Sequence, residues 1–218
     1  MSSSRRCNCD RGIFRNSGGS LMEPVHIIQG TAVPLDRSDV DTDQIIPSDW
    51  LKRVERTGFE KGLFSEWKDD PEFVLNDEAY SAASILIAGP NFGTGSSREH
   101  AVWAIQQAGF KAVISPRFGP IFKNNSTKNG LVPVEVETKV GNRLLEEVQR
   151  QPLLEFVIDI ERALVEIPEI NFEFGFPLDQ SVQERLLNGL DDISITLANE
   201  TSISRFEESR LAWLPSQK

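Results

Sequence analysis

Residues 85–115 constrain the fold of this chain more than any other stretch. Ile85-Leu86-Ile87-Ala88 is a continuous apolar run, as expected of a strand buried on both faces, and the turn that follows, 90–95, carries two glycines. Ala101, Ala104, Ile105 and Ala108 then fall on one face of a helix predicted from 97 to about 108. Gly109 supplies its stop, and residues 111–115 return as a strand. Strand, turn, helix and strand make a crossover unit, which commits the region to a parallel sheet covered by helices. Residues 116–130 followed by 131–136 read as a second crossover.

The flanking pattern extends that sheet. Residues 25–33 read as a strand, 36–43 as a polar loop and 47–54 as a short helix with Pro47 in its first turn. A short helix or loop over 59–67 is broken by Asp69-Asp70-Pro71. A helix over 140–150, strands over 156–160, 164–167 and 172–176, and a helical pattern over 180–210 interrupted near Gly189 complete the chain. The expectation is an α/β fold, a mixed sheet with outer helices, in a single domain over residues 22–218.

Charge limits the partners. The chain of 218 residues carries a formal net charge of -10, which argues against a nucleic-acid backbone as ligand. An anionic substrate would need a local positive pocket built against that field. No apolar run approaches the length of a membrane-spanning helix. Residues 1–21 differ in kind, with Arg5, Arg6, Arg11 and Arg15 against Asp10 alone. They read as a disordered leader, best explained by a start assigned upstream of Met22, with a transit peptide or native tail as alternatives. Both cysteines, Cys7 and Cys9, lie in this leader, so the body can neither ligate an iron-sulfur cluster with thiolates nor form a disulfide, which suits a cytoplasmic chain.

The most informative polar stretch is Gly93-Thr94-Gly95-Ser96-Ser97-Arg98-Glu99-His100, because it leaves the carboxyl end of a buried strand and opens a helix. Ser96 and Glu99 fit a capping box. Two adjacent hydroxyls followed by Arg98 also suit a serine whose alkoxide is stabilised by a helix N-terminus and a guanidinium. Arg98 can instead grip a carboxylate or remain a solvated charge. His100 is expected to be a buried hydrogen-bonding residue rather than a base or ligand. A second constellation, Asp39-Val40-Asp41-Thr42-Asp43-Gln44, reads as a loop capping its own backbone, or as carboxylates for a cation without the glycine and glutamate of an EF-hand. Lys52, Arg53, Arg56 and Lys61, interleaved with Trp50, Leu51, Val54 and Phe59, read either as a solvated basic face or as a place to collect a dianion with an apolar part.

Together these stretches resemble the small subunit of 3-isopropylmalate dehydratase, of the aconitase superfamily. Gly93 to Ala101 stands as that family's signature, Asp41-Thr42-Asp43-Gln44-Ile45-Ile46-Pro47 as its N-terminal motif, and Phe92, Arg117-Phe118-Gly119 and Gly130-Leu131 as flanks. The resemblance runs from about Met22 to Trp213. It implies the swivelling β/β/α domain of aconitase as a separate chain, paired with a large subunit that carries a 4Fe-4S cluster, and no metal on this chain. The implied reaction interconverts 2-isopropylmalate and 3-isopropylmalate through isopropylmaleate in leucine biosynthesis. Ser96 matches the family's catalytic base, Ser97 and Arg98 match groups that bind substrate and stabilise the alkoxide, and Asp43 matches an active-site acid. Arg53 falls near a substrate-binding arginine, and Leu51 and Val54 offer an apolar wall. A small subunit for a related acid of the methylmalate or homoaconitate type, or a non-catalytic anion-binding module, are the competing readings.

The leader lacks the apolar content to join a core, so a chain starting at Met22 should melt with the same cooperativity as the full one. Loss of that cooperativity in a calorimetric scan would refute the upstream-start reading.

Overall fold

The computed structural model describes residues 22–52, 55–95 and 98–210. Its strands are β1 (Ile27–Leu35), β2 (Ile85–Ala88), β3 (Ala112–Ser115), β4 (Val132–Glu135), β5 (Glu155–Asp159), β6 (Leu164–Ile167) and β7 (Phe172–Gly175). All seven form one sheet in the order β4-β3-β2-β1-β5-β6-β7. β1 is the seam. On one side it pairs in parallel with β2, placing Val33 opposite Leu86, and on the other it pairs antiparallel with β5, placing Ile28 opposite Ile158. The parallel half therefore uses the two expected crossovers, and the antiparallel half is the meander β5-β6-β7. Pro133 sits in β4 at an edge of the sheet, where its missing N–H interrupts no interior ladder.

The helices are α1 (Thr42–Ile45), α2 (Ser65–Lys68), α3 (Glu99–Gln107), α4 (Pro120–Asn129), α5 (Thr138–Arg150), α6 (Gln180–Asn188), α7 (Asp192–Leu197) and α8 (Glu200–Glu208). Alternation along β2 assigns the two faces of the sheet. Leu86 and Ala88 join a core with Val33, Leu35, the α3 residues Ala101, Val102, Ala104 and Ile105, and Phe122 of α4. Ile85 and Ile87 join the opposite core with Leu144, Leu145 and Val148 of α5 and the inner residues of β5 and β6. Each of the larger side chains contributes about 1.5–3 kcal/mol on burial, so a one-residue slip of β2 would be ruled out by both cores at once.

The expected elements are present with boundaries moved by a few residues. The helix expected over 47–54 is a 3-10 turn, Ser48–Lys52, and 59–67 divides into a 3-10 turn, Phe59–Lys61, and the single turn α2. The helical pattern after residue 180 divides into α6, α7 and α8, with Gly189 in the left-handed conformation at the end of α6. The leader lies outside the described residues. No helix among the described residues is long and apolar enough to cross a membrane.

Two glycines that both need positive φ separate conformational strain from close packing. A Cβ on Gly109 (φ +102) would meet nothing within 4 Å, whereas one on Gly93 (φ +73) would overlap the Phe122 ring. Gly109→Ala is expected to cost about 1–2 kcal/mol of left-handed strain. Gly93→Ala should lose about 1–3 kcal/mol more through overpacking. Urea unfolding of the two variants checks the difference, and equal midpoints would remove the Phe122 contact from the account.

Candidate active site

The loops that follow β1, β2 and β3 meet at the carboxyl ends of the parallel strands, the usual place for ligands in such sheets. Their backbones are tied directly. Asp39 N–H donates to the Pro90 carbonyl at 2.9 Å, Gly93 N–H to Val40 at 2.7 Å and Thr42 N–H to Thr94 at 3.0 Å. Phe92 N–H donates to Arg117 at 3.0 Å, and Gly119 N–H returns to Phe92 at 2.8 Å. Gly119 is required here because a Cβ would strike the Gly93 carbonyl. Asp39 and Asn91, both at positive φ, brace the same junction, with Asn91 Nδ2 donating to Asp39 Oδ1 at 2.7 Å.

Asp41 opens α1 with a full capping box. Its carboxylate accepts from Gln44 N–H at 2.8 Å, while Gln44 Oε1 accepts from Asp41 N–H at 3.0 Å. Self-capping therefore describes Asp41, but it leaves Asp43 free to point elsewhere. Asp43 Oδ1 forms an ion pair with Nη1 of Arg98. Arg98 is the less exposed partner, its side chain 19% accessible against 56% for Asp43. Its Nη1 is buried, and apart from this ion contact no described residue accepts a hydrogen bond from it. The contact thus supplies charge compensation without hydrogen-bonding geometry, and a buried guanidinium edge is held at the junction of the loops.

The structure brings Asp43 and Arg98 together, and it places Leu51 half-buried in the Ser48–Lys52 turn, outside both cores. Ser96, Ser97, Arg53 and Val54 lie outside the described residues. The expected capping box of Ser96 and Glu99 needs correction at its second member. α3 opens with Arg98 in the N-cap position, so Glu99 is the first helical residue, and its carboxylate accepts from Asn129 Nδ2 of α4 at 3.1 Å. A partner thirty residues downstream was invisible to local spacing. His100 also differs from expectation. It is half-buried and packs edge-on to Phe59 at 5.3 Å and against Trp103 at 4.9 Å, an aromatic setting.

Comparison with known proteins decides what this junction belongs to. Residues 22–139 match the family model described as the aconitase C-terminal domain. A 3-isopropylmalate dehydratase small subunit from Rubrobacter xylanophilus is 55% identical over 194 residues, covering 89% of this chain and 98% of that one. Another from Streptomyces coelicolor is 54% identical over 186 residues, covering 85% and 93%. The chain belongs to this family. A crystal structure of 3-isopropylmalate dehydratase from Methanocaldococcus jannaschii superposes with a TM-score of 0.61 at 26% identity, covering 83% of this chain and 99% of that one. The α/β fold expected from the sequence is thus the fold of the dehydratase small subunits and of the aconitase C-terminal domain.

The family implies an iron-sulfur cluster in the enzyme, and the residues of this small subunit do not fit as its ligands. No cysteine occurs after Cys9, and among the described residues no group of three or more His, Cys, Asp or Glu side chains could hold a metal ion. The basic stretch is also less available than its sequence implied. Lys52 pairs with Asp49 at 3.0 Å, and the Arg56 guanidinium lies 5.4 Å from the Trp103 ring centroid. Arg37, which follows β1, is taken up by Trp67, with 4.2 Å from guanidinium to ring. Sequence reading did not single out Arg37 or Trp67, whose contact depends on the long loop returning to β1.

Because Asp43 is half-exposed, its ion pair should add little to stability. Asp43→Asn is expected to shift the unfolding free energy by no more than about 1 kcal/mol, measured by urea denaturation. A larger loss would mean that the pair holds the loops together, a task assigned above to the backbone bonds.

Proposed function

We infer that this chain is the small subunit of a 3-isopropylmalate dehydratase, a hydro-lyase that interconverts 2-isopropylmalate and 3-isopropylmalate through isopropylmaleate in leucine biosynthesis. Identity above half over most of the chain to proteins of that name supports the substrate. The observation that carries the site assignment is the Asp43–Arg98 ion pair, which joins the two motifs that the sequence keeps apart. We further read residues 22–218 as one catalytic unit, active in the cytoplasm with a large subunit that bears the 4Fe-4S cluster.

In this reading Ser96 takes the proton from the carbon alpha to one substrate carboxylate, the hydroxyl departs from the neighbouring carbon, and water returns with the opposite regiochemistry. A serine hydroxyl is a weak base unless its anion is stabilised, and Arg98 is the group on this chain suited to do so. Ser97 adds a hydroxyl for the substrate, and Asp43 compensates the charge of the Arg98 guanidinium. Binding a dicarboxylate also requires an apolar wall for the isopropyl group, for which Leu51 and Val54 are the candidates, with Arg53 beside them as a cation for a carboxylate. Desolvating a third carboxylate against such a wall is costly, which disfavours tricarboxylates.

In the enzyme assembled anaerobically with its large subunit, Ser96→Ala should abolish turnover. Arg98→Lys should be comparably severe, because an ammonium cannot reproduce the planar fork. Near-normal turnover of isopropylmalate by Ser96→Ala would sink the assignment of the base. A stronger turnover of homocitrate than of isopropylmalate by the unmodified enzyme would overturn the substrate.

A further inference from the structure

Helix α3 carries Arg98 at its N-cap and Gln107 in its last turn. The Gln107 amide is bonded twice to one short segment. Its Oε1 accepts from Phe59 N–H at 2.8 Å, and its Nε2 donates to the Arg56 carbonyl at 2.8 Å. The same side of the helix holds that segment through rings as well. Phe59 lies 5.3 Å from His100 and 5.7 Å from Trp103, and Arg56 sits over Trp103. The start of the loop is fastened elsewhere, since a Cβ on Gly62 would stand 2.6 Å from the Trp50 ring and Phe64 N–H donates to the Ile45 carbonyl at 2.8 Å.

Gln107 is itself exposed, and the buried residues of α3 are Ala101, Val102, Ala104 and Ile105. Its side chain therefore does not serve the core, and both of its hydrogen bonds go to the loop. We propose that Gln107 is a positioning residue that sets the distance between Arg98 and residues 55–59, the described end of the loop that begins at Ser48. This rests on the reading of that loop as the one that meets the alkyl group of the substrate. A dicarboxylate with a branched alkyl group needs its anion grip and its apolar wall at one fixed spacing. α3 is a rigid support for that purpose, nine residues and roughly 14 Å long, with Arg98 at its N-cap and the segment held along it from His100 to Gln107. One exposed and one part-buried hydrogen bond are too weak to decide whether the domain folds, since Phe59 is anchored in the core, but they are enough to set how closely the residues before Phe59 follow the helix.

The test uses the full chain with Gln107→Ala and Gln107→Glu. Trypsin cleavage after Lys52, Arg53 and Arg56 reports docking of the loop, and steady-state kinetics with isopropylmalate in the assembled enzyme report its consequence. Gln107→Ala should melt like the parent, be cleaved in the loop about fivefold faster or more, and raise KM about 5- to 20-fold with kcat within about twofold, the pattern of lost uniform binding. Gln107→Glu keeps the acceptor for Phe59 and loses the donor to Arg56, so it should fall between the two on both scales. Unchanged cleavage in Gln107→Ala would overturn the clamp. Faster cleavage with an unchanged KM, or a fall in kcat alone, would overturn the positioning role. If the unmodified assembled enzyme fails to turn over isopropylmalate, the substrate reading fails instead, and the cleavage rates still decide the clamp.

Discussion

The hydrogen bonds that tie the loops after β1, β2 and β3 to one another are what the rest of the site depends on. They run backbone to backbone, Gly93 N–H donating to Val40, Thr42 to Thr94, Phe92 to Arg117 and Gly119 to Phe92, so the scaffold rests mainly on the main chain, with the Asn91–Asp39 bond as a brace. The Asp43 carboxylate and the Arg98 guanidinium can therefore be carried at the junction without serving as its fastening. The glycines at 93 and 119 make the arrangement possible, because one loop passes over the other at backbone contact.

Electrostatics explains why the site is built there. The chain is strongly acidic, and a dianionic ligand is repelled at most of its surface. Several cations near the parallel edge are already committed: Arg37 to Trp67, Arg56 to Trp103 and Lys52 to Asp49. Arg98 differs in being mostly buried and compensated by a carboxylate that is more exposed than itself. A ligand carboxylate can share that guanidinium without the protein having carried an uncompensated buried charge in its absence.

Much of this was legible in the sequence, for a physical reason. Buried strands such as 85–88 and 112–115 are short, apolar but for Ser115 and punctuated by glycine or proline, and the helical faces of α3 and α5 follow a clean period. The motif residues Asp43 and Arg98 were legible as a resemblance, and the contact between them is what their place in two loops produces. Features that depend on distant partners were not legible. Glu99 looked like half of a capping box until Asn129 claimed it, and His100 looked polar until Phe59 and Trp103 enclosed it. Gln107 gave one faint signal, a polar side chain a helical repeat beyond His100 on the face that meets the loop, and nothing nearby in sequence indicated that its amide would hold that loop.

The place of β1 at the seam also governs how the molecule must be made. It is the first strand among the described residues, yet its two neighbours are β2, at 85–88, and β5, at 155–159. During synthesis this apolar strand emerges from the ribosome long before either partner exists, and it is paired on both edges only after most of the chain has followed. Pairings so distant in sequence are slow to close, and an unpaired strand edge is the kind of surface on which nascent chains aggregate. The strand that unites the two halves of the finished sheet is thus the segment most in need of protection while the chain is being translated.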